Sequence, residues 1–149
     1  MSFTSVINNI ISTLSNDAAL GAYCTAKWGK SLTVMQMFRH RQEIHLGDLP
    51  LIFITRPSVE KQWLSNQLNE QVHQVRLFCG FHQPDREKAL AEMLEYEEKI
   101  TDALFVDRKR GDTTGYVLDT DIPDILNDEG EFAPVYFTVI SVPIITELT

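Results

Sequence analysis

The segment that most constrains this chain is its last, APVYFTVISVPIITEL, residues 133–148. Between Val135 and Ile145 only Thr138, Ser141 and Pro143 interrupt the apolar residues. Successive strand residues point to opposite faces, so a strand wetted on one side alternates apolar with polar. This one is apolar on both. Val135, Phe137 and Val139 fall on one face, and Tyr136, Ile140, Val142 and Ile144 on the other. Any fold for the chain must supply two covers for one strand. Pro143 donates no ladder hydrogen bond and places an edge or a bulge toward the segment's end.

The rest of the sequence offers few covers. Phe3, Val6, Ile7, Ile10, Ile11 and Leu14 recur with the spacing of an amphipathic helix, with Ser2, Thr4 or Ser5 available as its cap. Asn16-Asp17 ends that stripe, and Ala18-Ala19-Leu20 adds a short turn before Gly21. A second helix, DREKALAEMLEYEEKITDALF over 85–105, sets Leu90, Met93, Leu94, Glu97, Ile100, Ala103 and Leu104 along one side. Its length is about 30 Å. Strand patterns occupy 31–38, PLIFITRP between Pro50 and Pro57, 70–82, 116–123 and the closing segment. Residues 58–69 read as a long hairpin loop or as an extension of the hairpin, and 124–134 as a loop.

The expected fold is α+β, in the order α-β-β-β-α-β-β, as one domain over 1–149. Its mostly antiparallel or mixed sheet of four to five strands packs with the N-terminal helix and the long helix. Two helices leave the second face of the last strand short of cover. Either they lie on opposite faces, or a neighbouring subunit shelters Tyr136, Ile140, Val142 and Ile144.

Charge divides the chain. Residues 1–82 hold seven Lys/Arg against five Asp/Glu, and residues 83–149 hold six against sixteen. A half at −10 argues against direct wrapping of DNA, which needs clustered cations. It reads as a solvated acidic face, or as a surface that repels DNA or attracts a basic partner. The RKRG knot, Arg108, Lys109 and Arg110, reads as a complement to the helix C-terminus or as a contact for an acidic partner or DNA. Cys24 and Cys79 form no close motif and read as buried free thiols. No apolar run approaches the ~20 residues of a membrane span. The opening residues lack the basic region of a secretory leader.

Catalytic and metal patterns fail on spacing. His40 and His45 are five apart, and His73 and His82 nine apart along one strand, so neither makes the i, i+4 pair of a zinc helix. DTDIPDILNDEGE has Pro123 where a calcium loop needs a ligand. No GxSxG, P-loop or GxGxxG occurs, so the expectation is a protein without catalysis, metal or cofactor.

The order of FTSVINNIISTL, WGKSLTVMQMF, EIHLGDLPLIFITRP, EKITDAL and VYFTVISVPI resembles the tail terminator (tail completion, minor tail U-like) proteins of long-tailed bacteriophages, across nearly the whole chain. The resemblance implies a non-catalytic α+β subunit that assembles with itself as a ring, typically a hexamer, in the virion tail. Such a ring ends the tail tube and meets the head–tail connector proteins, and DNA passes through it without specific binding. It implies an acidic lumen, for which Glu92, Glu95, Glu98, Asp119 and Asp121 are candidates, and tube or subunit contacts at Trp63 and Leu64. Assembly would take place in the host cytoplasm, with no membrane involved. Head–tail connector or neck proteins, and other assembly factors that are monomeric when free, share the layout and form the alternative.

Overall fold

The structure, a computed structural model, describes residues 2–36, 44–63, 69–121 and 123–147, with the backbone alone at residues 62 and 63. Helix α1 runs Phe3–Asn16, and the Ser2 hydroxyl accepts from the Ser5 amide at its start. Its apolar stripe buries Val6, Ile7, Ile10 and Leu14. The expected short turn after Asp17 is a second helix, α2, Ala18–Trp28. The Asp17 carboxylate caps it, accepting from the Leu20 amide at 2.8 Å, and Gly29 ends it in the left-handed region at φ +70°. Gly21 weakens the helix locally, but packing of Leu20, Cys24 and Trp28 outweighs that cost of about 1 kcal/mol.

Among the described residues, six strands form a mixed sheet: β1 Thr33–Gln36, β2 Leu51–Trp63, β3 Asn69–His82, β4 Val117–Thr120, β5 Asp124–Asn127 and β6 Val135–Glu147. Their order is β1-β2-β3-β6-β4, with β5 also on β6, and among the described residues only β1–β2 is parallel. The α+β class holds, with α2 and the short β5 added to the expected elements. Residues 58–63 belong to β2, so the hairpin is an extension of the sheet and not a loop. It is not free-standing. β6 pairs along β3 from His82 to Glu70, almost to the hairpin's end. A bulge separates the two halves of the hairpin: Thr55 opposes Arg76 and Ser58 opposes Gln74, leaving Arg56 and Pro57 opposite Val75. Pro57 is tolerated there because a bulge leaves a backbone amide unpaired.

All three helices contribute to one core on one face of the sheet. Helix α3, Arg86–Phe105, starts at Asp85, whose carboxylate accepts from the Glu87 amide at 3.0 Å. It buries Ala89, Glu92, Met93, Tyr96, Ile100, Ala103 and Leu104 against Leu77, Phe81, Tyr136, Ile140, Val142 and Ile144. The helix is rotated from its expected setting, so Leu90 and Leu94 are exposed. Aromatic rings tie the layers together. Phe81 stacks on Tyr136 at 5.5 Å and on Trp28 at 4.9 Å, and Trp28 meets Tyr96 edge-on at 4.9 Å.

This arrangement corrects the expected role of the last strand. Tyr136, Ile140, Val142 and Ile144 are buried in the subunit's own helix-side core and need no neighbour to shelter them. Each large side chain removed from water there stabilises the subunit by roughly 1.5–3 kcal/mol. Cys24 and Cys79 are buried free thiols in the same core, and burial pushes the Cys24 thiol up to about 12.

Candidate functional site: the uncovered face of the sheet and its edges

The face that α1, α2 and α3 leave uncovered carries the remaining apolar residues of β6. Pairing registers line them up with other strands in a row that crosses the whole sheet: Met35, Phe53, Phe78, Val139 and Leu126. Phe53 and Phe78 stack with parallel rings 4.7 Å apart. Phe53 is buried, Met35, Phe78 and Val139 are half-buried, and Leu126 is 72% exposed. The adjacent row runs Thr33, Leu51, Gly80 and Phe137. Phe137 lies across Gly80 so closely that a Cβ there would stand 2.7 Å from the ring. Leu49 closes over this second row to make a small satellite core with Leu51, Phe53 and Phe137. On the other side the next row, Thr55, Arg76, Ser141 and Asp124, is polar. The apolar band is therefore narrow, and it runs from the β1 edge to the β5 edge.

The two edges differ in charge. Residues 119–131, which include β5, contain six acids and no Lys or Arg. The Asp128 carboxylate organises the loop after β5, accepting from the amides of Gly130 at 2.8 Å and Glu131 at 3.1 Å. Ahead of β1, Lys27 and Lys30 line a depression with Leu46, Leu49 and His82. Beside β5, a groove of about 390 Å³ lies between α3 and the loop, lined by Arg86, Leu90, Met93, Asp128 and Tyr136. Glu97 ties α3 to this edge, accepting from Asn127 Nδ2 at 2.7 Å and from the Thr138 hydroxyl at 2.9 Å.

The acidic candidates scatter over separate elements. Glu92 is a correction: it is buried, accepting from Gln83 Nε2 at 2.7 Å and facing Trp28 Nε1 at 3.5 Å, so it lines no open surface. Glu95 accepts from the Tyr23 hydroxyl at 2.8 Å, and Glu98 is exposed on the same helix. Asp119 accepts both arms of Arg108 at 2.8 and 2.7 Å, while Asp121 is exposed beyond β4.

The basic knot is mostly internal. For Arg110 the helix reading holds and the partner-contact reading is corrected: it is fully buried, and its guanidinium donates to the carbonyls of Leu104 and Asp107 at the end of α3. It complements the helix C-terminus and is closed to partners. Lys109 Nζ donates to the Leu118 carbonyl, and Arg108 is held by Asp119. The Trp63 backbone sits in β2 opposite Asn69, and Leu64 lies outside the described residues.

One cluster escaped the sequence reading. His73 is buried, with Nδ1 3.2 Å from Arg56 Nη1 and Nε2 3.0 Å from the Thr146 hydroxyl. Phe3 stacks on its ring at 3.8 Å, and the Arg56 guanidinium lies over Phe3. The bulge brings Arg56 to this position, so the cluster pins the start of α1 to the sheet. Burial, then the Arg56 charge, lowers the His73 pKa to about 4. Among the described residues, no group of three His, Cys, Asp or Glu side chains is placed to hold a metal ion.

No protein-family model and no curated protein matches this chain. Among solved structures it is similar to a chain of the "virion of native gene transfer agent (GTA) particle", with a TM-score of 0.61 and 14% identity. The likeness covers 95% of this chain and 94% of that one, and at this identity it establishes a shared fold.

Proposed function

We propose that this protein is a structural subunit of a phage-type virion, a terminator-like component that assembles with itself as a ring on the end of the tail tube. The ring halts tube elongation and offers the surface that meets the head–tail connector. The observation that carries this reading is the end-to-end likeness of fold to a chain of a gene transfer agent virion. A half-chain at −10 supports passage of DNA without adsorption, since like charge opposes contact. The narrow apolar band that the helices leave uncovered supports association in place of a solitary life.

Electron microscopy and mass measurement on the purified protein, alone and with its tube protein, test the reading. Rings with a central hole are expected. A strict monomer at tens of micromolar in both preparations overturns it and leaves a monomeric assembly factor as the better account.

A further inference from the structure

Strands β1 and β5 are the two ends of the same cross-sheet rows. Val34 lies in a row with Asn127, Met35 with Leu126, and Gln36 with Ile125. Among the described residues, β1 pairs with β2 alone and β5 with β6 alone, so each leaves one edge without a strand partner. Edges of this kind are normally blunted by Lys, Pro or inward charge. β5 is short, follows Pro123 and begins with exposed Asp124, yet it also carries exposed Ile125 on one face and exposed Leu126 on the other.

We propose that copies of this chain join head to tail through these edges, β5 of one copy pairing antiparallel with β1 of the next, with Leu126 opposite Met35 of the neighbouring copy. This rests on the ring reading and supplies its contact.

Strand direction fixes the sense of the pairing. β1 runs with β2, β3 runs against β2, β6 against β3, and β5 against β6. β5 therefore runs opposite to β1, and a neighbour in the same orientation meets it as an antiparallel strand. Leu126 and Met35 lie on the same uncovered face, so opposing them carries the apolar row from one copy into the next without a break. The register then sets Asn127 opposite Val34 and Ile125 opposite Gln36, and it keeps the helix-side face in phase. It also draws the acidic loop, Asp128, Glu129 and Glu131, toward Lys30 of the neighbour, which matches the opposite charges of the two edges. Two different surfaces meet, so the contact is heterologous, and it closes into a ring when the rotation per step permits.

Directly opposed antiparallel residues place their Cα atoms about 4.5–5.5 Å apart, within disulfide range. The test is a double variant, Met35→Cys with Leu126→Cys, oxidised under mild conditions. Cys24 and Cys79 are fully buried and stay out of the reaction. A ladder of covalent multimers on a non-reducing gel is expected from the double variant, and no ladder from either single variant. Assembly into rings without a ladder overturns the edge pairing and leaves the ring reading standing. A monomer that shows no ladder, with or without tube protein, overturns both. As a second readout, Leu126→Asp should weaken association about tenfold or more with unchanged thermal unfolding, since Leu126 is exposed in the subunit. Unweakened association counts against the proposal.

Discussion

Val139 and Ile140 are neighbours on one strand, yet they live in different surroundings. Ile140 is sealed in the helix-side core with Val142 and Ile144, whereas Val139 is half-buried on the opposite face. A run that is apolar on both faces can thus hold two separate instructions. One face closes the subunit, and the other is left outside the helical core. The first is expected to govern stability and the second assembly, and substitutions on the two faces should separate these effects.

The largest effect is expected from Ile140→Ala. Its cavity in the helix-side core should cost about 2–5 kcal/mol in urea unfolding, against less than about 1 kcal/mol for Val139→Ala. Equal costs would erase the distinction between the faces. Next comes acid. His73 is held neutral, with its pKa lowered from 6.5 to about 4, so below 6.5 the unfolded chain takes up a proton that the folded one refuses. The contribution is complete above pH 6.5 and drains away as pH falls toward about 4, by about 1.4 kcal/mol per unit. His73→Gln should flatten that slope in unfolding measured between pH 7 and 4. An unaltered slope would remove His73 as its source.

Gly80→Ala probes the satellite core on the uncovered face. The new methyl would stand 2.7 Å from Phe137 and 3.1 Å from Leu49, and both are buried. A loss of about 1–3 kcal/mol is expected by thermal unfolding, because the ring must turn out of its place. A neutral result would mean that this corner yields easily. The smallest change is Glu147→Lys. Glu147 lies directly opposite Glu70 on the uncovered face, and replacing like charges by opposite ones should add roughly 0.2–1 kcal/mol, less at high salt. A decrease would show that the two carboxylates do not repel.

Periodicity made much of the architecture readable before any coordinates. The α1 stripe, the strand after Pro50, the alternation around Cys79 and the long acidic helix all stand close to where their patterns put them. Three features escaped for physical reasons. In α2, Gly21 and scattered small residues hide a helix whose stability comes from Trp28 and Leu20 packing into the core. In α3, Glu92 faces inward to a hydrogen bond from Gln83 and Tyr96 faces inward among the rings of Trp28 and Phe81, so a count of aliphatic residues set the helix face one position off. The strand at β1 was expected, but its parallel pairing, like the four-residue β5, depends on partners that no local pattern encodes. The site was legible only in part. That β6 had a spare apolar face could be read from its residues, but which face was spare could not, because that depends on all three helices gathering on one side. Arg110 shows the same limit. Its type and position allowed either a partner or the end of the helix, and its burial against the carbonyls ending α3 selects the helix.

The bulge at Arg56 and Pro57 has a consequence for how such chains can diverge. In a regular pairing Val59 would stand opposite Val72 and turn outward. The additional residue restores the phase, so Val59 sits opposite His73 on the side of the helices. Upstream of that point the spacing of β2 is locked by the core. Downstream, the arm can grow or shrink at its tip in whole pairs of residues while the body stays untouched. The length of the arm is thereby an independently adjustable dimension.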